Sequence, residues 1–235
     1  MIILTSNFLT LKQNYIATLE GFWQIKMNSM SCLPYIKEQL NLSIDYVKKE
    51  FNAFEIDTDF ICFVLKKAIF FKMLASDGYD KEHSVILVSE FLYLIKYYCS
   101  CDYRAFSLSE RTIIETLLKI ITKSKAREST KALVNKAKLP DDKKSQVMSV
   151  FKEDSNIIHH SILSKDTDGI SMLLSDVLKK SSEFATNKKK NKVTLKCLNV
   201  INILIHHLIS TSEDDLRCVF SRKIDVLNFL TNSNL

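Results

Sequence analysis

Apolar side chains recur every three to four residues along most of this chain, the spacing that lays one stripe along an α-helix. The pattern predicts amphipathic segments over about Leu9–Ile25 and Pro34–Asn52, and Pro34 suits a first helical turn. Asp57–Ala75 follows an Asp-Thr-Asp capping signal and carries Phe60, Ile61, Phe63, Val64, Leu65, Ile69, Phe70, Phe71 and Leu74. Ser76-Asp77-Gly78 stops it. His83–Cys99 is apolar on nearly every side. Both segments exceed ordinary strand length and contain no turn residues, so they read as central helices packed on more than one face.

The second half continues the pattern. Ser107-Leu108-Ser109-Glu110 reads as a capping box opening a helix over Leu108–Lys123, with Ile113, Ile114, Leu117, Leu118 and Ile121 on its apolar side. A basic, weakly apolar stretch, Lys123–Lys144, predicts a short helix and a loop around Pro140. Asp141–Ser161 predicts a helix with a break near Asp154-Ser155, and Asp166–Ala185 another. A polar loop is expected over Thr186–Lys192. Val193–Ile209 predicts a helix with Cys197, Leu198, Ile201, Leu204, Ile205 and Leu208 on one stripe. Short helices over Ser212–Phe220 and Lys223–Leu230 close the chain. The expected fold is all-α, an irregular bundle of about eight to eleven helices. It is read as a single helical domain over 1–235, or two sub-bundles, 1–123 and 140–235, joined by the basic segment 124–139.

Composition sharpens this reading. The 235 residues include only three Gly and two Pro, which leaves little for the tight turns that sheets require. Six cysteines in no disulfide-like spacing, without a leader segment, suggest a reducing compartment, and a cytoplasmic protein is expected. The most apolar runs, Phe60–Leu65 and Val85–Ile95, are bounded by charges and too short to cross a bilayer, so no membrane partner is expected. The net charge of +6, from 33 basic and 27 acidic residues, is compatible with an anionic partner without demanding one.

Candidate chemistry is sparse. Glycines at 21, 78 and 169 cannot build a phosphate-cradling loop. There is no His-Glu-x-x-His, Gly-x-Ser-x-Gly or Cys-x-x-Cys; no metal site and no cofactor are expected. In His206-His207 one ring is expected to pack and the other to face outward, because helical neighbours point about 100° apart. His159-His160 stands in a more polar setting. Arg111 and Glu115 are spaced as an ion pair on one helix face, which would stabilise an isolated helix by about 0.3–0.5 kcal/mol. Arg in a first turn opposes the helix dipole, so a partner on another helix or an anionic ligand offers Arg111 a further role. Lys188, Lys189, Lys190 and Lys192 form the densest basic run, which reads either as a solvated surface or as a track for a phosphate backbone.

The stretch Ser109-Glu110-Arg111-Thr112-Ile113-Ile114-Glu115-Thr116-Leu117-Leu118-Lys119 resembles the Arg-x-x-x-Glu helix of HEPN-like and abortive-infection-like bacterial proteins. Val150-Phe151-Lys152-Glu153-Asp154-Ser155-Asn156-Ile157-Ile158-His159-His160-Ser161 resembles their later segment, in which an aromatic residue is followed by Ser and then His. The resemblance implies a helical bundle of the kind common in bacterial defence systems. Those families include metal-independent ribonucleases whose motif is an Arg, four to six residues, then a His. No Arg here has a His at that distance, and Lys152 followed by His159 is a degenerate version. The expected function is therefore a non-catalytic helical subunit of an antiphage-defence-like complex. It would bind protein partners and contact nucleic acid through basic faces. One alternative is an endoribonuclease using His159 or His160 as general acid/base, with Arg111 and Lys152 near the phosphate and Glu115 orienting Arg111. Another is a stand-alone nucleic-acid-binding protein.

Overall fold

The computed structural model describes residues 32–51, 58–125, 127–163 and 187–232. Among them are nine helices and no strand: α1 (Cys32–Glu50), α2 (Thr58–Ser76), α3 (Lys81–Cys99), α4 (Tyr103–Thr122), α5 (Thr130–Lys136), α6 (Asp141–Leu163), α7 (Asn187–Thr211), α8 (Glu213–Val219) and α9 (Ile224–Thr231). The protein is an all-α multi-helix bundle. The segments expected over Leu9–Ile25 and Asp166–Ala185 lie outside the described residues. The chain divides into two compact units, Met1–Gln39 and Leu40–Leu235. The division does not fall at the basic segment 124–139, and helices on both sides of that segment share the second unit. Helix α1 runs across the boundary, with Ile36, Leu40 and Ile44 buried along one stripe.

In the second unit, short connections make α2, α3 and α4 successive neighbours. Helix α4 lies against α3 and also touches α5, α6 and α7, while α9 returns to α2. Rings fill the first part of this core. Phe60 meets Tyr98 and Phe106, with ring centroids 4.6 and 6.2 Å away. Phe70 contacts Phe71 edge-on at 4.9 Å and stacks with Phe220 at 5.9 Å. With few glycines available, several turns use other residues in the left-handed region: Asp80, Cys101, Lys123, Lys138 and Asn232 all have positive φ. Gly78, at φ +81°, takes one such turn with a glycine.

Three expectations are corrected. Helix α4 begins at Tyr103, not Leu108. Asp102 caps it, its side chain accepting the Ala105 N–H at 3.0 Å, and the added turn buries Tyr103 and Phe106. Ser107 and Glu110 are therefore interior residues of the helix and not a capping box. Arg111 lies about two turns inside, clear of the dipole penalty. Helix α6 also runs unbroken through Asp154-Ser155. The Ser155 hydroxyl bonds back to the Phe151 carbonyl at 2.8 Å, and Asp154 is buried, so neither side chain competes for the local backbone. Helix α7 starts at Asn187, so the expected loop over Thr186–Lys192 is largely helical; lysine favours helix and no breaker intervenes.

The Asn191–Thr211 stretch of α7 has the length and, at 1.4, the mean hydropathy of a membrane-crossing segment, but half of it is buried in the fold. Cys197, Ile201, Leu204, Ile205 and Leu208 all have zero exposure, which makes this the stripe of a core helix.

Candidate functional site

Where α4, α5, α6 and α7 meet, the core turns polar. Arg111 Nε donates to Glu115 Oε1 at 3.3 Å, and the same oxygen accepts the Thr130 hydroxyl of α5 at 3.1 Å. The guanidinium carbon lies 4.7 Å from the centroid of the Phe151 ring on α6, a cation–π arrangement. Arg111 and Glu115 thus tie three helices together, and both are only partly exposed.

Deeper in, Glu110 of α4 and Asp154 of α6 are each 3% exposed. Burial pushes the Glu110 carboxyl well above the usual range, and the neighbouring Asp154 charge adds to this; a hydrogen bond from the Cys197 thiol on α7 pulls the other way. Burial likewise pushes Asp154 up to about 8, with Glu153 adding and the positive charges of Arg111 and Lys196 subtracting. The Cys197 thiol is pushed up by burial and then by the two acids. Ser107 Oγ lies beside Asp154 without reaching hydrogen-bond geometry, and Glu110 Oε1 and Asp154 Oδ2 are also unpaired. Burial thus favours the protonated form of each of the three. Neutral acids and thiols are poor metal ligands and weak nucleophiles. Among the described residues no group of three or more His, Cys, Asp or Glu could hold a metal ion. At the rim, Lys196 Nζ and Glu153 Oε2 pair across α7 and α6.

The other sequence candidates are placed as follows. Lys152 is exposed on α6 beside Phe151. His159 and His160 belong to α6, but their side chains lie outside the described residues. His159 follows Phe151 by eight residues, about 12 Å of helical rise. Lys188, Lys189 and Lys190 occupy the first turn of α7, with side chains again outside the description, and Lys192 is exposed. The sequence reading missed Glu110, Asp154 and Cys197 as a cluster.

It also missed Lys67 of α2, which has zero exposure. Its Nζ donates to the Leu230 carbonyl at the end of α9 at 2.9 Å and sits 4.7 Å from the Phe63 ring centroid. Burial, and then the Lys66 charge, lower its pKa to about 7. Lys66 completes a clamp on the same helix end, donating to Asn232 Oδ1 at 3.1 Å with its Nζ 4.0 Å from the Phe229 ring centroid.

No protein-family model matches the chain, and neither a curated protein nor a solved structure matches it.

Proposed function

We propose that this chain is a non-catalytic helical subunit of a cytoplasmic protein complex and acts by binding a protein partner. The observation that carries the proposal is the outward side of α3. Its inner positions, Leu87, Phe91, Leu94, Ile95 and Tyr98, are buried, yet Val85 and Ile86 remain 50% and 38% exposed. Further along, Tyr93 stacks on Tyr97 at 5.8 Å with Lys96 nearby. Aromatic and aliphatic groups side by side on one helix are the composition of an interface core, and they suit the apolar face of a partner helix.

The state of Arg111 supports the non-catalytic reading. A phosphate-stabilising arginine must offer its fork to the substrate, whereas this one lies over Phe151 and faces Glu115. The resemblance of Ser109–Lys119 and Val150–Ser161 to HEPN-like proteins supports a setting in bacterial antiphage defence. Exposed Lys192 supports an accessory contact with nucleic acid.

The test is affinity capture from the native host with wild type and with the Val85→Asp/Ile86→Asp variant. A partner retained by wild type and lost by the variant, with circular dichroism unchanged, is the expected result. A solitary monomer in the wild-type capture, or retention unaffected by the variant, overturns the proposal.

A further inference from the structure

The surplus of positive charge in this chain is concentrated in one place. Residues 119–138, from the last turn of α4 to the turn after α5, hold seven basic residues and one acid, a balance of +6 that equals the net charge of the whole chain. The remaining residues cancel, with 26 basic and 26 acidic side chains. The fold turns the surplus outward. Thr130, Leu133 and Val134 of α5 are buried, whereas Lys131, Lys136 and, just beyond the helix, Lys138 are exposed. Lys125 and Arg127, in the connection from α4, are exposed as well.

Pairing explains the neighbouring charges but not these. Downstream, Lys143 and Lys144 face Asp142 and Asp141 at 3.6 and 3.2 Å, and upstream Lys123 faces Asp215 of α8 at 3.7 Å. Glu128, the one acid of the segment, accepts from the Ser124 hydroxyl and from Lys136, which together hold its carboxyl below the usual range. Lys125, Arg127, Lys131 and Lys138 form no ion pair among the described residues. Lys131 also stands in the first turn of α5, where the helix dipole opposes a cation, so the helix itself does not account for it.

The make-up of this face decides what it fits. No aromatic residue occurs within 119–138, so the face has no platform on which an unpaired base could stack. None of the large apolar side chains that the fold leaves exposed lies there, so it has no wedge to enter a bilayer. Three of the four unpaired cations are lysines, mobile point charges without the fork that selects one carboxylate arrangement. Such charges suit a uniform row of phosphates. The seven residues of α5 rise about 10 Å, a length over which one strand of a duplex presents about three phosphates.

We infer that the outward face of α5, with the connection leading into it, binds the phosphate backbone of a nucleic-acid duplex without reading its sequence. The inference rests on the accessory nucleic-acid contact proposed above and moves its centre from the start of α7 to α5. It is independent of the α3 surface.

The test is fluorescence anisotropy of the full chain with short labelled DNA and RNA duplexes. Two unrelated sequences are expected to bind within about twofold of each other, with log K falling against log salt at a slope of about −3 to −4, the value for four phosphate contacts. The combined variant Lys125→Gln/Arg127→Gln/Lys131→Gln/Lys138→Gln should bind at least about tenfold more weakly near 50 mM salt, with a slope close to zero. Lys131→Gln alone should reduce the slope by about one. All four positions are exposed, and unchanged circular dichroism checks that the fold is kept. No duplex binding near about 50 mM salt overturns the inference, as does wild-type affinity in the combined variant. Tighter binding of a single strand, of polyglutamate or of phosphatidylserine vesicles overturns it too, by assigning the face to a different partner. Lys188→Gln/Lys189→Gln/Lys190→Gln/Lys192→Gln separates this inference from the reading it rests on. Unchanged affinity is expected; a loss confined to that variant removes α5 from the contact while leaving the accessory contact at α7 standing. Comparison of the DNA and RNA duplexes at one salt concentration assigns the backbone to whichever binds more tightly.

Discussion

The two halves of the core solve burial in opposite ways. Between α2, α3, α4 and α9 the packing is almost wholly aromatic and aliphatic, and the one buried charge, Lys67, is held by a backbone carbonyl and a ring. Between α4, α6 and α7 the core accepts two carboxyl groups, a thiol and an unpaired hydroxyl. An apolar core gains stability from each ring it buries. The polar seam gains little from the groups it buries and is sensitive to whether they are protonated. The difference teaches where stability is made and where it is exposed to solution conditions.

The largest effect should come from breaking the aromatic side. Phe70 has zero exposure and contacts both Phe71 and Phe220. Phe70→Ala should destabilise the fold by about 3–5 kcal/mol in urea unfolding.

The pH dependence of stability should separate the two sides, because their shifts have opposite consequences. Asp154 in the folded state keeps its proton up to about pH 8, whereas the unfolded chain releases it near 3.8. The unfolded state binds fewer protons across that window, so the seam loses stability as pH rises from about 4 to 8. Lys67 loses its proton near pH 7 when folded and near 10.5 when unfolded. The unfolded state binds more protons there, so the aromatic side gains stability as pH rises from about 7 to 10.5. The combined curve should pass through a minimum near pH 7–8, with changes on the order of a few kcal/mol on either limb. Urea unfolding across pH 5–10 checks this. Asp154→Asn should flatten the acid-side fall and Lys67→Met the alkaline rise, and a curve without a minimum would show that the two sides do not differ in this way.

Smaller changes refine the picture of the seam. Arg111→Ala removes the ring contact and the Glu115 pair together and should destabilise by about 1–2 kcal/mol. Arg111→Lys should recover only part of that, because the stacked plane is lost. Ser129 caps α5 by accepting the Ala132 N–H at 3.3 Å, so Ser129→Ala should cost about 1 kcal/mol and loosen the Thr130 contact to Glu115.

Much of the architecture was legible because helix periodicity is a local signal. The stripe through Ile113, Ile114, Leu117 and Leu118 and the one through Cys197, Ile201, Leu204, Ile205 and Leu208 are buried as read, whereas Ile121 and Leu198, read on the same stripes, are only half-buried. The start of α4 was misread because Ser107–Glu110 has the letters of a capping box, while the deciding gain, burial of Tyr103 and Phe106, is tertiary. The acid cluster was illegible for the same reason. Glu110 and Asp154 are 44 residues apart, and nothing near either one announces the other. Lys66 and Lys67 read alike as charges bounding an apolar run, yet only Lys67 is fully buried, because one residue turns a side chain by about 100° around the helix.

That angular step also governs α7. Its five fully buried positions act as an index pin, fixing the rotation of the helix and therefore the bearing of Asn202 and His206 on the far side. Truncating Leu204 would leave the outward side chains of α7 chemically intact, yet let the helix settle at a slightly different angle and re-aim them all. Variation deep in this protein can thus retune its surface without altering a single surface residue.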